Sequence, residues 1–318
     1  MGFETLLGNE RLKENLRSSI DRGRISHFYL ISGPVGSGKH TLARLLAAAI
    51  LCRSSQEKPC GTCPACRKAL GAGHPDFITI DDPEKKTVPV DLIRQARADI
   101  YVQPNEGSRK IYLFPRAQDM GIPGQNALLK VLEEPPAYGV FILLTDNPEK
   151  LLPTVRSRCT ELTLTALSPQ LLHQQLQRDF PKASQEDIRG AAARSGGFLG
   201  QARKILEEGD AISPQTEGFV ESFARRDVMG LCQVLVPMQK WKRDQLVEIL
   251  SQWIDLTEQA LTTRAGMPAV SGLVRNLSAS RSSRDLMEAL QNLKKARGYA
   301  QGNVSPAAIC GWLEWALR

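Results

Sequence analysis

Between residues 33 and 41 the chain reads Gly33-Pro-Val-Gly36-Ser-Gly38-Lys39-His40-Thr41, after the apolar run Phe28 to Ser32 and before an apolar helix pattern from Lys39 to Leu51. A glycine-rich turn between a strand and a helix N-terminus presents successive backbone N–H groups, and a lysine beside them completes a cradle for phosphate. Gly33, Gly36, Gly38, Lys39 and Thr41 are therefore candidate nucleotide-binding residues. A full ATP site places a magnesium-ligating hydroxyl directly after the lysine, whereas here His40 follows and the hydroxyl comes one place later, on Thr41. It also needs an acid at the end of a neighbouring strand for the metal, and a following glutamate for the attacking water. The strand candidate Lys110 to Phe114 runs instead into Pro115-Arg116-Ala117-Gln118, with Asp119 the nearest substitute. Without metal neutralisation or a positioned base, little stabilises the charge of phosphoryl transfer. Two readings stay open: a loop that binds ATP without turning it over, and a relic loop that keeps only the fold.

Cys60-Gly-Thr-Cys63-Pro-Ala-Cys66 forms two overlapping C-x-x-C steps, and Cys52 at the end of the loop helix adds a fourth thiol. Four thiolates on such short turns suit tetrahedral Zn²⁺, and with no open position or base nearby the ion would be structural. His74 competes with the cysteines for the fourth position, and a redox dithiol is the other use of such spacing. The remaining cysteines, Cys159, Cys232 and Cys310, are scattered and need no role beyond packing.

These groups need a scaffold. Asn9 to Arg22 carries Leu12, Leu16 and Ile20 four apart, which predicts an amphipathic helix closed by Gly23. Strands are expected at 28–32, 77–80, 110–114, 141–145 and 160–164, with helices at 90–101 and 125–134, the latter stopped by Pro135-Pro136. That alternation implies a parallel sheet covered by helices on both faces. After Leu164 the strand signals end: Ser168-Pro169, Ser184 with Asp187, and Ser195-Gly-Gly197 open helices of a unit reaching about residue 208, and Gly209 to Pro214 reads as a linker to an all-helical remainder. The fold class expected is thus α/β plus all-α. Trp241, Trp253, Trp312 and Trp315 all lie in the helical remainder, as packing anchors.

At 318 residues the chain exceeds one ordinary core. The longest apolar run, Leu45 to Cys52, is far short of the ~20 residues of a membrane span, and no signal peptide precedes it, so a cytoplasmic protein without membrane partners is expected. A net charge of +7 is compatible with a polyanionic partner or with a plain basic surface.

Together with Gln125-Asn-Ala-Leu-Leu-Lys-Val-Leu-Glu-Glu-Pro-Pro136 and Pro153-Thr-Val-Arg-Ser-Arg-Cys159, these features resemble the AAA+ clamp-loader subunits of bacterial DNA polymerase III. The eroded acidic strand end beside the four cysteines, His74-Pro-Asp76, Asn126 to Lys130 and Ser157-Arg158-Cys159 looks like the delta-prime type rather than the ATP-hydrolysing gamma/tau type. The resemblance implies an AAA+ P-loop-type domain at 1–164 with a zinc module at about 52–66, a helical lid at 165–210 and a helical collar for oligomerisation at 211–318. It implies a non-hydrolysing subunit of a hetero-oligomeric ring, partnered by gamma/tau and delta types, the sliding clamp and primer-template DNA. An active ATPase motor subunit is the alternative. Arg158 matches the arginine finger offered in trans to a neighbour's ATP, Arg156 is a second candidate, and Thr145 matches the position that senses the terminal phosphate. The lid arginine of active relatives aligns with Gly200, leaving Arg203 as a helix-surface residue. Arg94 and Arg97, three apart on one helix, are the candidates for sequence-independent DNA contact.

Overall fold

The computed structural model describes residues 2–55, 57–71, 73–207, 213–269, 271–302 and 304–318. α1 (Glu10–Asp21) precedes β1 (Phe28–Ser32), whose glycine-rich turn opens α2 (Lys39–Leu51). There follow α3 (Pro64–Leu70), β2 (Phe77–Thr79), α4 (Val90–Asp99), β3 (Lys110–Phe114), α5 (Ile122–Glu133), β4 (Gly139–Thr145), α6 (Pro153–Arg156) and β5 (Thr160–Thr163). The rest is helical: α7 (Pro169–Asp179), α8 (Gln185–Arg194), α9 (Leu199–Glu207), α10 (Pro214–Arg225), α11 (Val228–Met238), α12 (Arg243–Arg264), α13 (Gly272–Ser280), α14 (Ser283–Gln301) and α15 (Pro306–Ala316). α3 is an addition to the expected elements. α5 begins at Ile122, ahead of Gln125, because Pro123 sits in the first turn, where no N–H donor is required.

All strand pairs are parallel, in the order β2-β3-β4-β1-β5. β1, β3 and β4 are buried along their whole length, which is why each reads as a continuous apolar run rather than an alternation. Their side chains nevertheless divide by face. Tyr29, Ile31, Ile111, Leu113, Ile142 and Leu144 pack with α1, α2 and α3. Phe28, Leu30, Tyr112, Phe114, Phe141 and Leu143 pack with α4 and α5, and Phe141 stacks on Phe28 at 4.8 Å and on Tyr112 at 5.3 Å. The fold is α/β, a five-stranded parallel sheet covered by helices, followed by an all-α part.

By its contacts the chain forms two compact units, Met1–Ser184 with Arg194–Glu207, and Gln185–Ala193 with Glu208–Arg318. The helical unit expected at 165–208 is thus shared between them. Residues 209–212 of the expected linker lie outside the described residues, and Ser213 caps α10 by accepting from the Thr216 N–H at 3.2 Å. In the helical unit Trp253 is fully buried, stacked on Phe219 at 4.2 Å, with its indole N–H donating to Thr216 Oγ1 at 3.2 Å. Trp315, by contrast, is 69% exposed. No helix of the described residues is long and apolar enough to cross a membrane.

Candidate functional site

The loop after β1 opens onto a cavity of about 690 Å³ in the sheet unit. Gly36, Gly38, Lys39, His40 and Thr41 line it, as do Gln118 from beyond β3 and Asp146 from beyond β4. These are carboxyl ends of parallel strands, where an open α/β sheet leaves its crevice. The N-terminal segment Glu4 to Leu7 also lines the cavity. Lys13, only 2% exposed, pins that segment by donating to the Leu6 carbonyl at 3.0 Å. α2 starts at Gly38 with no side-chain cap, so its first N–H groups stay available to a ligand. The Lys39 ammonium donates to the loop's own carbonyls, Gly33 O and Pro34 O, the latter at 2.9 Å, and burial pushes its pKa down. Burial lowers the His40 imidazole too, helped by Arg44 and Lys39, which favours its neutral form.

Gly33 and Thr145 are outside the cavity lining. Thr145 is fully buried, its hydroxyl accepting from the Asn147 N–H at 3.1 Å, and the next residue, Asp146, reaches the cavity in its place. Arg203, expected at the helix surface, has its side chain 42% exposed and also lines the cavity, held by Asp179 of α7 at 2.6 Å. Gly200 explains how α9 comes so near: its N–H donates to the Gly36 carbonyl at 3.0 Å. Cβ atoms on either glycine would strike backbone, 2.4 Å from Gln201 N for Gly36 and 2.7 Å from Gly36 Cα for Gly200.

At the end of β3, Arg116 occupies the place of the missing acid. Its guanidinium donates to Asp81 at 2.6 Å, to the Asp82 carbonyl at 2.9 Å and to the Lys85 carbonyl at 3.1 Å. Asp119 lies 3.8 Å from the same group. Both carboxylates nearest the strand end are therefore drawn to a resident cation.

The sulfurs of Cys52, Cys60, Cys63 and Cys66 all lie within 4.8 Å of one another. A tetrahedral zinc with Zn–S of ~2.3 Å separates its sulfurs by about 3.8 Å, so the four fit one ion with slight contraction. α3 supplies the framework: Cys63 caps it, Pro64 opens it, and the N–H groups of Cys63 and Cys66 each donate to the preceding sulfur at 3.4 Å. The Cys63 N–H and the Thr62 hydroxyl pull the Cys60 thiol down to about 5, while burial pushes Cys66 up. His74 is outside this cluster. It is 3% exposed, and its Nδ1 accepts from the Asp76 N–H at 3.1 Å. Asp76, fully buried, accepts from the N–H groups of Asn105, Glu106 and Gly107 at 2.5, 2.8 and 2.7 Å, which organises the loop before β3.

Arg158 follows α6 with its side chain 39% exposed. It donates to the Thr154 carbonyl at 3.0 Å and meets Glu133, the last residue of α5, at 3.3 Å. Arg156 is engaged by Glu149 at 2.8 Å and Glu161 at 3.5 Å. Gln125 was conspicuous in the sequence without a role, and it positions this corner. Buried at 2% exposure, it donates to the carbonyls of Met120 and Lys150 and accepts from the Leu152 N–H at 2.7 Å, fixing the turn into α6. Arg94 is exposed and pairs with Asp91 at 3.1 Å, and Arg97 is half-buried on the same helix.

The delta' subunit of DNA polymerase III from Pseudomonas aeruginosa is 34% identical over 190 residues, covering 59% of this chain and 58% of that protein. The tau subunit from Bacillus subtilis is 34% identical over 171 residues, 54% of this chain and 30% of that protein. The chain therefore spans less than two thirds of the length of these relatives. A solved gamma subunit-related protein from Thermotoga maritima aligns over 96% of this chain and 99% of its own at 18% identity, with a TM-score of 0.46. A sequence profile described as DNA polymerase III, delta subunit, matches residues 8–168, and the phosphate loop, the cysteine cluster, the Gln125 helix and Arg158 all fall inside it. By that match over half its length, the chain belongs to the DNA polymerase III delta subunit family.

Proposed function

We propose that the chain is a subunit of a bacterial replicative clamp loader, one that scaffolds the ring and offers Arg158 to a neighbour's ATP site while its own site performs no hydrolysis. The observation that carries this reading is Arg116 paired to Asp81 at the end of β3, where a working site needs free carboxylates. Arg158 is suited to the role in trans because it is exposed and its contact with Glu133 is a surface ion pair, worth at most ~1 kcal/mol and readily exchanged for a phosphate. Gln125 then serves to hold the turn that presents it. The partners would be gamma/tau-type and delta-type subunits, the sliding clamp and primer-template DNA, in the cytoplasm, with Arg94 and Arg97 meeting DNA backbone. The three-part division into P-loop domain, lid and collar belongs to the same proposal, with the helices after residue 210 as the oligomerising part. Cys52, Cys60, Cys63 and Cys66 would hold one structural zinc, which would tie α2 to α3.

The test is a comparison of two variants in a reconstituted loader. A trans guanidinium is worth roughly 10³ to 10⁵ in rate at a single phosphoryl-transfer site, and less in a ring whose other sites keep their own. Arg158→Ala should lower DNA-stimulated ATPase and clamp loading with assembly intact, and Lys39→Ala should do much less. The reverse order would favour the alternative reading, an active motor subunit, which draws on the intact Gly36-Ser-Gly38-Lys39 turn facing the cavity.

A further inference from the structure

The cavity beside the phosphate loop has a charge pattern of its own. The nearby acids are mostly engaged: Asp81 by Arg116, Asp179 by Arg203 and Glu4 by Arg17. Asp146 is in no ion pair among the described residues, is exposed, and lines the cavity together with Lys39. Ser32 pairs with Thr145 across β1 and β4, and the Gly33 N–H donates to the Thr145 carbonyl at 3.2 Å, so Asp146 leaves the sheet directly beside the phosphate loop; its carboxylate raises the Lys39 pKa against the larger lowering by burial. Two further polar atoms of the lining, Ser37 Oγ and Gln118 Oε1, are shielded from solvent with no hydrogen-bond partner among the described residues. They are groups that a ligand could satisfy.

The loop lysine is the side chain that reaches the outer phosphates of a bound nucleotide. A carboxylate lining the same cavity as that lysine is a like charge to the outer phosphates the lysine reaches. The acids beyond the ends of β2 and β3, Asp81 and Asp119, both face the Arg116 guanidinium rather than an incoming divalent cation, and His40 replaces the hydroxyl that follows the lysine in a magnesium site. A terminal phosphate would thus meet Asp146 as bare like charge, whereas a diphosphate held on the loop N–H groups would leave the Asp146–Lys39 attraction in place.

We propose that this cavity binds a nucleoside diphosphate in preference to the triphosphate and without a divalent cation, and that Asp146 is the residue that discriminates. The proposal rests on the loop being a nucleotide site and is independent of Arg158. A like charge about 6 Å from the terminal phosphate, at an effective dielectric of about 40, corresponds to about tenfold in affinity.

The experiment is calorimetric titration of the full chain with ADP and with ATP, in buffers with and without magnesium. Wild type should bind ADP about tenfold more tightly than ATP, with the ADP affinity insensitive to magnesium. Asp146→Asn should bring ATP to within about threefold of ADP by strengthening ATP, and Asp146→Glu should keep the preference. Any of three results overturns the proposal: neither nucleotide binding the wild type, an ADP-to-ATP ratio unchanged in Asp146→Asn, or magnesium-dependent ATP binding lost in that variant, which would make Asp146 a metal ligand. Because the titration uses the lone chain and the loader assay reads Arg158, the two readings fail separately.

Discussion

Arg116 illustrates how one side chain can change the chemistry of a strand end. A carboxylate there would face the crevice of the sheet, whereas the guanidinium turns to Asp81 and the carbonyls of residues 82 and 85, tying down the segment after β2. Gln125 acts on the same scale. Its amide donors and carbonyl are all used, and Gln125→Ala would remove the partner of the buried Met120 carbonyl and of the part-buried Lys150 carbonyl and Leu152 N–H. A fully buried orphan costs ~1–3 kcal/mol and one that water can partly reach costs less, so urea unfolding of the sheet unit should move by about 2–4 kcal/mol in total. The loader activity proposed for Arg158 should fall with it. Asp76 adds a pH dependence. Burial alone would raise its pKa, but the N–H groups of Asn105, Gly107 and Glu106 outweigh burial and hold the carboxyl below its ordinary range. A folded-state pKa below the unfolded one gives stability that is complete above the unfolded value of ~3.9 and is lost as pH falls through the folded value. Asp76→Asn should flatten that acid limb in a pH series of thermal melts. A limb as steep as in the wild type would place the linkage elsewhere.

At the scale of elements, the contact between the phosphate loop and α9 depends on two glycines meeting through backbone. Gly36 sits at φ +78, where a side chain is strained, and Gly200 has no room for a Cβ against Gly36. Gly200→Ala should therefore push the start of α9 away from the loop at a cost of ~1–3 kcal/mol, and should weaken any nucleotide binding alongside. Unchanged stability and binding would mean that the loop and helix adjust freely. The scaffold around this contact was legible from sequence, since runs such as Phe28 to Ser32 and Lys110 to Phe114 need both faces buried and Gly33 to Lys39 needs a strand before it and a helix after it. α3 was not, because its short run, Pro64 to Leu70, is dominated by the cysteine spacing and has little periodicity to read. Asp146 and Arg203 escaped for tertiary reasons. A sequence does not say which of Thr145 and Asp146 leaves the sheet, and Arg203 is brought to the cavity by Asp179 on another helix.

For the whole molecule, the two units are told apart by the tryptophans and the cysteine cluster. All four tryptophans belong to the helical unit, Trp253 at its centre, whereas the cysteine cluster lies in the sheet unit between α2 and α3. Tryptophan fluorescence is therefore a reporter of the helical unit alone, and far-ultraviolet circular dichroism reports both. A structural metal held by four thiolates contributes its binding free energy to the unit that closes around it and to no other. Protein purified without chelator should carry one zinc per chain, and Cys52→Ser should reduce that content. Stripping the metal should then lower the melting midpoint seen by circular dichroism while the tryptophan midpoint stays in place. A sheet unit indifferent to metal removal would count against the zinc assignment. Equal shifts in both signals would mean that the two units unfold as one cooperative body, and that metal at one end of the chain stabilises the helices that would build the ring.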